Sequence, residues 1–209
     1  MPDVLKPWYG RPLTVATALL AAGIVVVTGM RESWGGAIAL APWTALFTLA
    51  CWACFWRPEV RVSDAGITLT NVSRTIEIPW PALQGIDTRW ALCLVTAYGR
   101  FTSWSAPAPG ARAAIKSMAA SNPASARLLG NPVRAGRRHL EADAAARPGD
   151  VADTPSGSAA AMVQRHWDRL RVAGHLDDPR LERERPVIRW HIATAAAALG
   201  LLIIGLVLA

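Results

Sequence analysis

Charged and apolar positions are segregated along this chain of 209 residues. Three long stretches, residues 12–30, 35–56 and 190–209, contain no Asp, Glu, Lys or Arg. A helix that crosses the hydrocarbon core of a bilayer, about 30 Å thick, needs roughly 20 apolar residues. All three stretches have about that length, and an uncharged run as long as residues 35–56 is unusual for the core helix of so small a protein. The pattern therefore predicts three membrane-spanning helices.

Between the second and third stretches the pattern changes to alternation. Residues 74–80 read RTIEIPW, in which Ile76, Ile78 and Trp80 alternate with polar residues and a proline. A period of two indicates a strand with one buried face. Similar short segments, separated by turn residues, are 59–62, 67–70, 85–90, 91–98 and 100–105. Short strands at this spacing predict a small antiparallel sheet or barrel.

Two segments of the same region have helical periodicity, residues 110–121 and 158–174, and Ser158 is the expected N-cap of the second. The residues between them are rich in Pro, Gly, Ala and Arg without any period, which predicts a flexible insertion. The expected organisation is an N-terminal transmembrane hairpin (1–56), a β-rich domain (57–121), the insertion (122–157), an amphipathic helix with its connector (158–186) and a C-terminal transmembrane helix (187–209).

Basic residues near the ends of the apolar stretches predict the orientation of the chain. Lys6 and Arg11 precede the first stretch, whereas the turn between the first two contains only Arg31. Three further arginines flank the region between the second and third stretches: Arg57, Arg61 and Arg189. Since basic flanks remain in the cytoplasm, we expect the N-terminus and residues 57–189 inside the cell and the C-terminus outside.

Composition agrees with this division and adds a candidate binding site. The chain is 52% hydrophobic, yet its net charge is +7. Residues 57–189 hold 19 Lys and Arg against 13 Asp and Glu, a net charge of +6. Within them, Arg134, Arg137 and Arg138 form the densest basic cluster, and a basic residue near an anionic leaflet contributes about 1 kcal/mol to binding. These arginines are candidate lipid contacts, and the lack of interleaved aromatic residues argues against nucleic acid.

The order of elements in residues 57–121 resembles a known family. VSDAGITLTNVSRTIEIPWPALQGI, followed by YGRFTSWSAPAP and an Ala-rich segment, is similar to the bacterial PH-like domain of small membrane proteins, as in the low-molecular-weight protein antigen 6 family. The matching positions are Gly66, Asn71, Arg74, Pro79, Trp80, Gly99, Arg100, Ala106 and Pro107. The resemblance implies a PH-like split β-barrel closed by a helix and attached to membrane spans.

The resemblance leaves open which helix closes the barrel. Position in the chain favours residues 110–121, whereas the core Trp that PH folds often carry on this helix favours residues 158–174, which contain Trp167. The long insertion and the third apolar stretch depart from the shorter members of the family. The expected fold class is thus a membrane α-helical anchor of three spans plus an α+β PH-like split β-barrel with a closing helix.

Few residues suggest chemistry. Cys51 and Cys54 form a C-x-x-C motif, but they lie in an apolar stretch, where desolvation disfavours a thiolate, and packing is the favoured interpretation. The four histidines lack metal-ligand spacing. The sequence contains no phosphate-binding loop, nucleophile elbow, zinc-protease motif or paired carboxylates. We therefore expect no enzymatic activity, no metal and no cofactor.

The expected function follows from these features together. We expect a bacterial integral membrane protein whose PH-like domain docks a protein or an anionic lipid at the cytoplasmic face of the plasma membrane, acting as a scaffold. Two alternatives remain open: a membrane thiol-redox protein that uses Cys51 and Cys54, and an accessory subunit of a larger membrane complex. The oligomeric state is also left open.

Overall fold

A computed structural model of the chain describes residues 3–108, 154–174 and 184–209. Two predicted segments fall wholly or largely outside the described residues: the helix over residues 110–121 and the insertion over residues 122–157, of which only the last four positions are described.

Two long helices follow the short strand β1 (Asp3–Leu5). They are α1 (Gly10–Arg31) and α2 (Trp34–Cys51), and a π-helical turn, Trp52–Trp56, continues α2. With 22 residues in α1 and 23 in α2 and its π-helical turn, both are long and apolar enough to cross a membrane. Ser33 caps α2, because its hydroxyl accepts a hydrogen bond from an N–H of the first turn at 3.1 Å.

Glycines allow α1 and α2 to approach each other closely. A Cβ atom on Gly10 would lie 1.9 Å from the carbonyl oxygen of Phe55, and one on Gly29 would lie 2.8 Å from the ring of Trp34. Both distances are shorter than any van der Waals contact, so neither position has room for a side chain in this arrangement. The two helices therefore form a tightly packed antiparallel hairpin at both of its ends.

The C-terminal helix packs along α2. We label it α4 (Ile192–Leu208); it has 17 residues and is shorter than the other two apolar helices. A Cβ atom on Gly205 would lie 2.9 Å from the indole of Trp43, which again marks a close approach. The helix begins two residues later than the predicted span over residues 190–209, because the preceding residues form a strand.

The region between the helices contains two antiparallel sheets. The strands after β1 are β2 (Glu59–Ser63), β3 (Gly66–Thr70), β4 (Arg74–Ile78), β5 (Leu83–Asp87), β6 (Ala91–Thr96), β7 (Gly99–Pro107) and β8 (Val187–Trp190). The first sheet has the order β1-β2-β3-β4-β8 and the second the order β5-β6-β7, with a 3-10 turn, Trp80–Ala82, between β4 and β5. Of these strands, β2, β3, β4, β6 and β7 coincide closely with segments predicted from alternation, whereas β5 overlaps the predicted segment 85–90 only at residues 85–87.

The two edge strands of the first sheet were not predicted. β1 pairs with β2, with Val4 opposite Arg61, and β8 pairs with β4, with Ile188 opposite Ile76. Each has only three or four residues, too few to show a period. The prediction placed these residues with the hairpin and with the C-terminal helix, whereas the structure adds both segments to the sheet.

The prediction that RTIEIPW supplies core residues is confirmed. Ile76, Ile78 and Trp80 are buried, and they belong to one hydrophobic cluster that both sheets share. Other members of this cluster are Val60, Val62, Ile67, Leu69, Leu83, Leu92, Leu94 and Phe101. Burial of this apolar surface is the main force that holds the two sheets together.

A single described helix, α3 (Pro155–Val172), packs on this core through Ala159 and Val163. Its N-cap is Thr154, whose hydroxyl accepts a hydrogen bond from Gly157 N at 3.0 Å. The prediction of Ser158 as the N-cap is therefore wrong. A proline fits the first helical position without losing a hydrogen bond, so the helix starts at Pro155 and Ser158 lies inside it.

The side chain of Asn71 connects the two sheets at the β3–β4 turn. Its amide nitrogen donates to Thr102 O at 2.8 Å, and its amide oxygen accepts from Trp104 N at 2.8 Å. The side chain of Asn71 thus makes the pair of hydrogen bonds with β7 that a neighbouring strand would otherwise make. The described part of the domain is thus a pair of antiparallel sheets, linked at this corner and covered by α3.

Candidate functional site

All three apolar helices meet the sheets at one end of the molecule. Strand β1 leads into α1, the π-helical turn after α2 leads into β2 through Arg57, and His191 alone separates β8 from α4. We call this end the junction. It is formed by Arg57, Ser73, Arg74, Trp104, Trp190, His191 and Thr194. Because strands and helices are continuous here, the junction fixes which end of each helix is next to the domain.

Arg57 is the most unusual charged residue of the junction. Its guanidinium donates a hydrogen bond to the hydroxyl of Thr194 at 2.7 Å and lies over the ring of Trp52, 5.3 Å from its centroid. Partial burial lowers the pKa of Arg57, because desolvation disfavours its charged form. Within the described ranges, no carboxylate forms an ion pair with it. Arg57 is therefore a partly desolvated cation that has no counter-charge among the described residues.

His191 fastens the start of α4 to the β3–β4 turn. Its backbone N–H donates to Ser73 O at 2.9 Å, and its ring Nδ1 lies 3.2 Å from Val72 O. A carbonyl oxygen only accepts, so Nδ1 carries a proton, and Nε2 lies 2.9 Å from the hydroxyl of Thr75. Three hydrogen bonds thus hold this residue at the junction.

Tryptophans surround the junction. The indole N–H of Trp104 donates to Cys54 O at 2.9 Å, in the last turn of the helix, where carbonyl groups lack partners within the helix. Trp190 lies under the guanidinium of Arg74, 5.4 Å from ring centroid to charge centre. Trp8 is 86% exposed just before α1. Amphipathic rings of this kind are typical of the membrane–water interface.

An apolar cavity of about 620 Å³, which we call the groove, lies between α2 and α4 and opens at the junction. Leu46, Leu49 and Ala198 are among the side chains of the two helices that line it. Ser73, His191 and Thr194 are among the residues that line its other end, next to the junction. The groove is therefore apolar along the two helices and has a few polar side chains at its mouth.

The structure describes only some of the residues that the sequence singled out. Arg134, Arg137 and Arg138 lie outside the described residues, and their role stays a prediction. Cys51 and Cys54 are free, half-buried cysteines at the end of α2 and in the π-helical turn. In the part of the chain that the structure describes, no group of His, Cys, Asp and Glu residues is arranged to hold a metal ion.

The comparison with known families identifies the domain. A family model described as a bacterial PH domain matches residues 57–166. The chain belongs to this family. No curated protein and no solved structure matches it. The resemblance to bacterial PH-like domains is thereby confirmed, and the match extends beyond residue 121 into α3, the helix that packs on the core of the PH domain.

The first hairpin of the PH domain points away from the junction. β2 leaves the junction at Glu59, and its turn with β3 follows about 15 Å later, at about 3.3 Å per residue. Within this turn, Asp64 Oδ1 accepts a hydrogen bond from His166 Nε2 at 2.8 Å, and His166 stacks on Trp80. An acidic turn so far from the helix ends is poorly placed to bind an anionic headgroup of the adjacent leaflet.

Sequence reasoning used Arg57 only as an orientation signal and missed its place in the junction. Its partner Thr194 is 137 residues away, so no local pattern links the two. The sequence offered one usable signal: both residues lie near the ends of predicted spans and close to tryptophans.

Proposed function

We propose that this chain is an integral membrane protein whose PH domain serves as a non-enzymatic docking surface at the cytoplasmic face of the bacterial plasma membrane. One observation carries the proposal: three apolar helices, whose largest side chains face outward, meet the PH domain at a single junction. PH domains are generally binding modules, and a soluble domain with no membrane to occupy would not expose so much apolar surface.

The geometry of α4 supports a third span. Gly205 of α4 contacts Trp43 of α2. Both lie 13 residues from the junction end of their helices (192 to 205, and 56 to 43), so α4 runs antiparallel to α2 and reaches the same depth. At 1.5 Å per residue its 17 residues extend about 25 Å, near the lower limit for crossing a bilayer.

The orientation rests on the distribution of basic residues. Lys6, Arg57 and Arg189 all lie at the end of the helices next to the PH domain. At the opposite end of α1 and α2, the basic residue is Arg31, the last residue of α1. By the preference of basic flanks for the cytoplasm, the PH domain is inside the cell, and the C-terminus is outside.

Two surfaces are proposed for docking. For anionic lipid, the basic cluster Arg134, Arg137 and Arg138 remains a candidate. For a protein partner, the turn between β5 and β6 presents Trp90, which is 84% exposed. Tryptophan is frequent among the residues that dominate binding energy at protein interfaces. Replacement of Trp90 by a photo-crosslinking amino acid in living cells should give a discrete adduct, and the same replacement at Arg100 should not.

Cysteine accessibility tests the topology. In a variant without native cysteines, single cysteines replace Ser33, Arg100 or Ala209, and intact cells are treated with a membrane-impermeant maleimide. We expect labelling of Ser33→Cys and Ala209→Cys, and labelling of Arg100→Cys only after permeabilisation. Labelling of Arg100→Cys in intact cells would refute the cytoplasmic location. Protection of Ala209→Cys alone would reduce the membrane part to two spans.

Alkylation of the native chain separates docking from the redox alternative. Cys51 and Cys54 are three positions apart where α2 continues into the π-helical turn. A redox pair needs a reactive, accessible thiolate. Slow labelling of both residues in native membranes would agree with a packing role, whereas rapid labelling that oxidant abolishes would favour thiol chemistry over docking.

A further inference from the structure

The carboxylates near the junction already have cationic partners. Glu59 is paired with Lys6 Nζ at 2.6 Å and with Arg61 at 3.1 Å. Glu77 is paired with Arg189 at 3.5 Å. Among the described residues, this leaves two cations of the junction, Arg57 and Arg74, with aromatic and hydroxyl contacts only. The junction therefore has an excess of positive charge that this part of the chain does not neutralise.

This charge lies close to the apolar groove, although neither arginine lines it. The hydroxyl of Thr194, which accepts the hydrogen bond from Arg57, also lines the groove. Trp190, on which Arg74 lies, lines it as well. Each of the two arginines therefore contacts a residue that lines the groove. Leu46 and Ala198 line the groove farther from the domain, so the groove extends along the two helices.

The polarity of the groove matches that of one class of molecule. A phospholipid has an anionic phosphate at one end and acyl chains at the other, and in the cytoplasmic leaflet its phosphate is at the level of the junction. Guanidinium groups bind phosphate through paired N–H donors. A volume of about 620 Å³ falls in the range of small-molecule sites and suits part of one chain and its glycerol.

We propose that the groove between α2 and α4 is a binding site for an inner-leaflet phospholipid with a net negative headgroup. The phosphate region contacts Arg57 at the mouth, with Arg74 adding to the positive field, and one acyl chain lies between the helices. The proposal rests on the membrane location proposed above and adds the ligand class and the site. This site lies at the opposite end of β2 from the first hairpin of the PH domain.

Selective lipid retention tests the site. The full chain, purified in detergent, is incubated with equal amounts of phosphatidylglycerol and phosphatidylcholine and passed through size exclusion, and the retained lipids are quantified by mass spectrometry. We expect the wild type to be enriched in phosphatidylglycerol. Since a basic residue near an anionic surface contributes about 1 kcal/mol, Arg57→Gln should lower this enrichment about five-fold.

Three further variants make the result specific. Arg100→Gln makes the same change of charge at the exposed start of β7, so its enrichment should equal that of the wild type. Arg57→Lys retains the charge and should retain most of the enrichment. This variant keeps the proposal testable if Arg57→Gln folds poorly. Ala198→Phe fills the groove and should reduce retention of both lipids without any change of the junction cations.

Equal retention of the two lipids by the wild type, or equal effects of Arg57→Gln and Arg100→Gln, would overturn the proposal. The assay does not depend on the orientation of the chain in cells. If the two lipids are retained equally and the domain is cytoplasmic, only the proposed lipid site is refuted. If phosphatidylglycerol is enriched but the domain is extracellular, the lipid site stands and its location in the inner leaflet is refuted.

Discussion

The PH domain and the apolar helices use the same residue types in opposite arrangements. In the domain, large side chains such as Leu69 and Leu94 are fully buried. In the helices, large side chains such as Leu20 and Val207 are exposed, at 69% and 77%, and glycines such as Gly205 form the contacts between helices. The domain has the arrangement of a protein that folds in water, where burial of apolar surface drives folding. The helices have the arrangement expected for the membrane location proposed above, where close packing of small residues takes over that role.

The largest expected effect comes from removing a large buried side chain of the PH domain. Leu94→Ala should cost about 2–5 kcal/mol, because it leaves a cavity in a packed core. The matched change Leu20→Ala, on the exposed side of α1, should alter domain stability by less than about 0.5 kcal/mol. Pulse proteolysis of the detergent-solubilised chain across a urea series measures both. Equal losses would mean that the outward side of α1 packs against part of the protein.

The next effect concerns close packing in the helical region. Gly10→Ala introduces a methyl group where Phe55 O leaves no room, and overpacking of this kind costs about 1–3 kcal/mol. Gly23→Ala is the control, because no atom lies within 4 Å of its added Cβ. The midpoint of thermal unfolding in detergent should fall for the first variant only. A similar midpoint for both would show that α1 and α2 separate easily at the junction.

A smaller effect is expected at the corner where the two sheets meet. Asn71→Ala removes one donor and one acceptor that bond to β7, and should cost about 1–2 kcal/mol. Hydrogen exchange of the Trp104 amide should accelerate in this variant. Asn71→Asp retains the acceptor, so its Trp104 amide should remain better protected than in the Ala variant. Unchanged exchange in both would exclude the side chain as a link between the sheets.

The N-cap of α3 should contribute about 1 kcal/mol. Thr154→Ala removes the hydroxyl that accepts from Gly157 N, whereas Thr154→Ser keeps it. Exchange of the amides in the first turn of α3 should therefore accelerate in the Ala variant and stay near wild type in the Ser variant. If both behave alike, the helix start is held by its packing on the domain core.

The smallest effect belongs to the surface of the domain. Arg189 and Glu77 form an ion pair at 3.5 Å with both side chains largely in water. Exposed pairs of this type contribute little, so Arg189→Gln should change the urea midpoint by an amount equivalent to less than about 0.5 kcal/mol. A larger loss would show that β8 depends on this pair for its place at the sheet edge.

Local patterns in the sequence predicted the elements whose periodicity spans five or more residues. Alternation at Ile76, Ile78 and Trp80 located a core strand, and the uncharged stretches located the apolar helices. The short strands β1 and β8 escaped prediction, because three or four residues show no period and their pairing depends on partners far along the chain. The prediction of Ser158 as the N-cap of α3 overlooked Pro155, which fits the first helical position and places Thr154 at the cap.

By itself, the sequence determined the separation of apolar helices from a β-rich domain, the family of that domain and the place of its core, because each of these depends on local periodicity and on the order of elements. Only the tertiary structure decided what lies at the junction. The contact of Arg57 with Thr194, the fastening of His191 to the β3–β4 turn, and the groove between α2 and α4 arise from residues more than a hundred positions apart. Their meeting depends on helix packing and strand pairing, which no local pattern records.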